Sequence, residues 1–343
     1  MTGIRRARAA ALMLDRPRAR TPREVAEHLL AIQAQNLRQG RFAIRARSKG
    51  LTAADVDRAF DDGEIVVTWL NRGTLHITTA DDYPWLLALT APRNYTSSRT
   101  RLEQLGVSAA DAERGIEIML DALAADGPLP RAAIGERIAA AGIRTKGNAL
   151  THIVIEAALY GKVVMGPMQG KRQAVALTRD WLGSRPRVDR DAALGELARR
   201  YLRSRGPATD ADLAYWAGVN IGDARKGMAR IASELADAGD GLVDLKTRGP
   251  VPRRIPPRML GGWDDYLLSW KDRSFAVQDE HLQQLIPGGG LFHPALTVDG
   301  VVVGSWRAPA SGVALHLFDD TDPAVFEKEV EDVRRFEAAP KGV

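Results

Sequence analysis

A Gly-Pro dipeptide followed by a short helical stretch occurs twice, at Gly127-Pro128 with a stretch ending near Gly142 and at Gly206-Pro207 with one ending at Gly218, 79 residues apart. A fixed offset of that size marks an internal repeat of one supersecondary unit. In the earlier copy, ERGIEIMLDALAADGPLPRAAIGERIAAAGI and KGNALTHIVIEAALYGK read as helices. VVMGPMQGKRQAVALT follows as a ribbon whose tip holds Gly166, Pro167, Gly170, Lys171 and Arg172. The later copy spans DAALGELARRYLRSRGPATDADLAYWAGVNIGDARKGMARIASEL, where Asn220 is placed to cap a recognition-type helix carrying Arg225 and Lys226. The same order appears near the N-terminus. There TPREVAEHLLAIQAQ opens with Thr21 as N-cap, Pro22 at the first helical position and Glu24 three residues on, the reciprocal pattern that starts a helix. Val25, Leu29, Leu30 and Ile32 give it an apolar stripe at helical spacing. Helical stretches follow from about Leu37 to Arg47 and from Leu51-Thr52, and EIVVTWLNRGTLHIT reads as two strands joined at Asn71-Arg72-Gly73. Helices followed by a two-stranded ribbon is the order of a winged helix, so three such modules are expected.

After about Thr247 the chain turns rich in Pro and Arg and then β-like. TVDGVVVGSWRAP holds Asp299-Gly300 as a tight hairpin turn between β-branched runs, which predicts a small β-domain. DPAVFEKEVEDVRRFEAA closes the sequence as a charged amphipathic helix with a solvated face. At 343 residues there is length for two or three domains. With 48 Lys and Arg against 43 Asp and Glu, the balance is compatible with a phosphate-backbone partner without being diagnostic of one. The absence of cysteine excludes disulfides, thiolate metal sites and a thiol nucleophile, and fits a reducing cytoplasm. No apolar run approaches the roughly 20 residues that span a bilayer. The N-terminal MTGIRRARAAALMLDRPRAR has too short an apolar part and too charged a flank for a signal peptide; it reads as a cationic first helix.

The six histidines, at 28, 76, 152, 281, 293 and 316, contain no pair at zincin spacing, so no metal is expected. Gly288-Gly289-Gly290 lacks the Lys-Ser/Thr of a phosphate-binding loop, and no G-x-S-x-G elbow is present. No cofactor is expected. The glutamines of Gln33-Ala34-Gln35 remain. Two amides flanking one small residue suit orienting a water, and neither is a base at any ordinary pH. A reaction run by them needs a substrate that carries its own activation, and a cationic leaving group satisfies that. Residues two apart on a regular helix point about 200° apart, so the pair converges on one ligand only if the helix ends or loosens there, with Asn36 as terminator. Solvated polar residues at a helix end are the alternative.

LLAIQAQNLRQGRFAIRAR, TWLNRGTLHIT with ADDYPWLLALTAPR, WDDYLLSWKDRS and the VDGVVVGSWR hairpin, in that order, resemble the AlkZ and YcaQ family of winged-helix DNA glycosylases over nearly the whole chain. The resemblance implies that Gln33 and Gln35 occupy the two polar positions of the family's Q-apolar-Q base-excision motif, on the AlkZ-like side of a family whose other branch has Asp at the second position. It implies an α+β, mainly α fold: three tandem winged helix-turn-helix modules, at 1–98, 99–182 and 183–246, followed by a small C-terminal β-barrel domain and terminal helix at 247–343. It implies hydrolysis of the N-glycosidic bond of cationic N7-alkylated purines, including bulky adducts or interstrand crosslinks, in duplex DNA; a monofunctional, cytoplasmic monomer, nucleoid-associated when bound to DNA, is expected. Access without complete base flipping is a further implication. No lysine is placed for a Schiff base, so strand cleavage is not expected.

Candidate DNA contacts are Gln169, Lys171 and Arg172 on the second ribbon, Arg72 and His76 on the first, Arg225 and Lys226 on the capped helix, and Trp306 and Arg307 on the C-terminal hairpin. Solvation of a hairpin tip explains Lys171 and Arg172 equally well, and His76 and Trp306 also suit packing. Asp264, Asp265 and Tyr266 are expected to pack the β-domain against the helical modules. A non-catalytic winged-helix regulator is the competing class, although three modules in one chain can enclose a duplex without dimerisation. A protein that sequesters a DNA-damaging small molecule is a third.

Overall fold

The computed structural model describes residues 2–183, 188–309 and 312–338. It is mixed α and β and about half helical. The N-terminal part runs α1 (Thr2–Ala11), α2 (Pro22–Leu29), β1 (Ile32–Gln33), α3 (Leu37–Arg45), α4 (Ala53–Asp61), β2 (Ile65–Leu70) and β3 (Thr74–Thr79). It continues through α5 (Tyr83–Thr90), α6 (Tyr95–Gln104), α7 (Ala109–Asp126), α8 (Arg131–Ala140) and α9 (Ala149–Leu159) to β4 (Val163–Gln169), β5 (Arg172–Leu177) and α10 (Thr178–Leu182). Next come α11 (Arg190–Arg205), α12 (Asp210–Ala217), α13 (Ile221–Arg230), β6 (Leu235–Gly239) and β7 (Leu242–Leu245). The C-terminal part holds β8 (Arg258–Leu260), α14 (Asp265–Leu268), α15 (Asp279–Leu285), β9 (Ala295–Val298), β10 (Val301–Arg307), β11 (Ala314–Leu317) and α16 (Glu327–Glu337). The chain divides into two compact units, one of Met1–Val56, Leu194–Trp216 and Asn220–Val343, the other of Asp57–Ala193 and Ala217–Val219.

In the second of these units the ribbons β2–β3 and β4–β5 share one sheet. β2 pairs antiparallel with β3 along its length and also with β4 through Val67 and Met165, giving the strand order β3–β2–β4–β5. Every residue of β2 is buried. The run IVVTWL is almost wholly apolar because this strand is central and α5 and α9 pack against it.

The repeat seen in the sequence has a structural counterpart. After Gly127-Pro128, Leu129 exchanges backbone hydrogen bonds of 3.0 and 2.8 Å with Val175 on β5. After Gly206-Pro207, Ala208 makes the same exchange with Val243 on β7, at 3.0 Å each way. In both copies a single bridge ties the start of the middle helix to the second strand of the ribbon.

The C-terminal β region differs from the expected barrel. Among the described residues it is an open antiparallel sheet in the order β11–β10–β9–β8. Four strands of three to seven residues are too few and too short to close on themselves. The sheet is covered instead, by α15 against β10 and α16 against β8. The Asp299-Gly300 turn forms as expected, with φ of 48° and 77°. Its carboxylate accepts from Arg6 Nε at 3.0 Å and Nη2 at 2.6 Å and from Ile255 N at 2.9 Å. Against its partial burial, Arg6 holds the Asp299 carboxyl below the usual carboxylate range. Arg8 is buried with its guanidinium 4.7 Å from both the Trp270 and Phe275 rings. Arg6 and Arg8 of the cationic first helix are thus engaged in holding the fold.

Candidate active site

α2 begins as the sequence predicts, with Thr21 Oγ1 accepting from Glu24 N at 3.1 Å, while Glu24 Oε2 accepts from Arg20 N at 2.7 Å. It ends earlier than Asn36. Leu30 sits at φ 68°, ψ −50°, its N–H bonded to Ala26 O at 2.8 Å, and Ala31 N donates to Leu29 O at 2.8 Å. That hydrogen bond closes a γ-turn of positive φ, the rarer and strained form. A bulky residue held there costs about 1–3 kcal/mol and persists only where its surroundings over-determine it.

The surroundings are supplied by Arg205, the last residue of α11. Its side chain is fully buried, and Nη1 donates to Leu29 O at 2.8 Å and Nη2 to Ala31 O at 3.4 Å, the two carbonyls that flank Leu30. Nε donates to Ser269 Oγ at 2.8 Å, Nη2 also binds Asp265 Oδ1, and the guanidinium lies 4.1 Å from the Trp216 ring centroid. Burial pushes the Asp265 carboxyl up, opposed by the pull of Arg205 and Arg47.

Gln33 therefore lies on an extended segment, four residues past the helix end, and the 200° divergence expected of a helix does not apply to it. It is 8 % exposed and Ala34 3 %, whereas Gln35 is at a bend and exposed. Asn36 is the N-cap of the next helix, not the end of the previous one. Its Oδ1 accepts from Arg38 N at 3.0 Å and Gln39 N at 3.4 Å. The first turn of α3 is pinned in turn from residues 261–262. Gln39 Oε1 accepts from Gly262 N at 2.7 Å, and a Cβ on Gly261 would stand 2.6 Å from Gln39 O, so only glycine admits that approach. The glutamine pair thus occupies a short connection whose two ends are both fixed.

The other candidates distribute as follows. Arg72 lies at the tip of β2–β3, half-buried, and His76 is 3 % exposed, with Nδ1–H donated to Thr74 O at 2.8 Å. Gln169, Lys171 and Arg172 are exposed on the β4–β5 tip, at the opposite end of the same sheet from Arg72, where Gln169 Nε2 donates to Pro128 O at 3.0 Å. Arg225 and Lys226 are exposed on α13, capped by Asn220 Oδ1 on Asp223 N at 2.8 Å, and Arg225 Nε donates to Asp210 Oδ2 at 2.8 Å. Arg307 is exposed, but Trp306 is 4 % exposed, packs edge-on against Phe42 at 4.9 Å and donates its indole N–H to Leu260 O at 2.8 Å. Trp306 thus occupies a core position.

Sequence reasoning missed the buried arginines. Arg47 and Asp264, both at 0 % side-chain exposure, form a two-bond pair of 2.9 and 2.7 Å. Arg205 and Asp265 form the second pair. The adjacent acids of WDDY were the only signal, and their partners lie 217 and 60 residues away along the chain.

A family model described as "DNA glycosylase AlkZ-like" matches residues 26–336. An interstrand DNA cross-link repair glycosylase from Streptomyces sahachiroi is 24 % identical over 345 residues, covering 91 % of this chain and 90 % of that protein. The solved structure of the S. sahachiroi DNA glycosylase AlkZ superposes with a TM-score of 0.80 at 23 % identity, over 98 % of this chain and 96 % of that one.

Proposed function

The chain belongs to the AlkZ-like DNA glycosylase family, and from that membership we propose that it hydrolyses the N-glycosidic bond of purines made cationic by alkylation at N7, bulky adducts and interstrand crosslinks among them. The observation that carries this reading is the fixed, non-helical seat of Gln33-Ala34-Gln35, with one amide nearly buried and the other exposed. An N7-alkylpurine leaves without being protonated. The electron pair of the breaking C1′–N9 bond returns to the ring and cancels its positive charge. What the protein must supply is a water placed at the face of an oxocarbenium-like sugar, a task of positioning and electrostatics. Gln33 and Gln35 hold that water by its hydrogens and lone pairs. Its oxygen bonds to C1′ and its surplus proton passes to solvent. Because amides activate water weakly, undamaged purines are spared.

The three helix-and-ribbon segments act as winged-helix modules, a reading supported by the bridge that recurs at Leu129–Val175 and Ala208–Val243. Lys171, Arg172, Lys226 and Arg307, all exposed, contact phosphates, as do Arg72 and Arg225, and Gln169 lies on the same tip as Lys171 and Arg172. His76 and Trp306, both nearly buried, act through packing within their own units. The relative named for cross-link repair supports extending the substrate range to crosslinks.

The test is base release from three duplexes, carrying N7-methylguanine, an N7–N7 interstrand crosslink or neutral O6-methylguanine. Release from the first two, with an unnicked abasic product, is expected. Comparable release from O6-methylguanine, or none from any cationic lesion, contradicts the reading.

A further inference from the structure

We infer that Arg205 is a positioning residue for base excision: by holding the carbonyls on either side of Leu30 it fixes the strained turn that leads into Gln33, and the Arg205–Ser269–Asp265 cluster exists to set that turn.

Three features single the cluster out from ordinary buried ion pairs. The first is where it binds. Arg47, wholly buried and paired to Asp264, makes its backbone contact four residues back, on Ala43 O, and Arg45, buried and paired to Asp332, places one donor on a single carbonyl, Met259 O. Arg205 spends two donors on carbonyls 174 and 176 residues away, at Ala31 and Leu29. The second is the state of those carbonyls' neighbour. Leu30 is fully buried at φ 68°, a conformation that a leucine keeps only when held. The third is distance in sequence from the pair: Gln33 begins two residues after the clamped Ala31. A shift of the turn therefore moves the amide directly, and a displacement near 1 Å at a positioning group costs about a hundredfold in rate.

The guanidinium suits this task and an ammonium does not. Its planar fork reaches Leu29, Ala31, Ser204, Ser269 and Asp265 together, with Trp216 stacked on its face. A lysine retains the charge opposite Asp265 but cannot span both carbonyls. Ser269 holds Nε and so sets the rotation of the fork.

The inference rests on the catalytic reading of Gln33 and Gln35, and its test separates the two. Single-turnover release of N7-methylguanine and DNA affinity are measured for Arg205→Lys and Ser269→Ala, each in the wild-type and the Gln33→Ala background. Expected for Arg205→Lys is a rate lower by about 10- to 100-fold with unchanged affinity, and for Ser269→Ala about 3- to 10-fold. Neither change should lower the rate further once Gln33 is alanine. An unchanged rate, or the same proportional loss in both backgrounds, overturns the positioning role and leaves the pair's role standing. If Gln33→Ala alone releases base at the wild-type rate, the reading of the pair fails and the positioning role with it. Should Arg205→Lys not fold, Ser269→Ala decides by the same criteria.

Discussion

The connection holding Gln33 and the tip of β4–β5 are both short, polar-containing links between regular elements, and they are built in opposite ways. In the first, Leu30, Ala31 and Ile32 are fully buried and the flanking carbonyls are bound by a buried arginine. In the second, Gln169 to Arg172 are exposed, secured by the strand ladder and by one bond from Gln169 to Pro128. Under the proposed function, the difference follows from what each is asked to do. Placing a water at a sugar carbon demands a fixed atom, and a fixed atom demands an over-determined backbone. Neutralising a phosphate demands charge near it, which a solvated lysine supplies from many rotamers.

The largest effect should come from the scaffold behind the rigid connection. Asp264→Ala leaves Arg47 buried without its partner, and a loss of about 3–5 kcal/mol is expected by urea unfolding. A loss below about 1 kcal/mol would erase the contrast between buried and exposed charge. A smaller effect sharpens it through pH. Burial, only partly offset by the bond to Ala11 O, lowers the His28 pKa to about 3, so this residue of α2 stays neutral in the folded protein. The unfolded chain takes up the proton below about 6.5. The stability that His28 contributes is therefore complete above that pH and is lost as pH falls from there towards 3, near 1.4 kcal/mol per unit. Unfolding at pH 5 against pH 7 should show a loss of about 2 kcal/mol, removed in His28→Gln. No such difference between the two proteins would mean the ring is not buried neutral. The exposed tip should be nearly silent in stability. Lys171→Ala with Arg172→Ala should change folding by less than about 0.5 kcal/mol, lower the salt dependence of DNA affinity by about two phosphate contacts, and leave single-turnover release at saturating protein within about twofold. A large fall in that saturating rate would place these side chains in the chemistry.

Much of the architecture was legible because it depends on neighbours in sequence. The Thr21-Pro22-Glu24 start of α2, the Asp299-Gly300 turn and the ribbons at 65–79 and 163–177 all formed where local pattern puts them. What was not legible depends on distant partners. Nothing between Ala26 and Ile32 resembles a helix stop; the carbonyls on either side of the break at Leu30 are bound by an arginine 175 positions on. The joining of β2 to β4 through Val67 and Met165 likewise has no local signature beyond the continuous apolar run of β2. The barrel expected at the C-terminus came from resemblance, and the number and length of the strands there give an open sheet. For the candidate site, the glutamines were visible as residues, but their seat was not. On sequence alone Trp306 leans towards packing and still admits a surface role, because an indole at a hairpin end satisfies both patterns.

The most direct measurement is single-turnover release of N7-methylguanine from alkylated duplex by wild type and by the Gln33→Ala, Gln35→Ala double variant, with folding and DNA affinity checked on both. A rate lower by about a thousandfold or more, at unchanged affinity, is the predicted result. Release within about tenfold of wild type would contradict the assignment of the water to this pair.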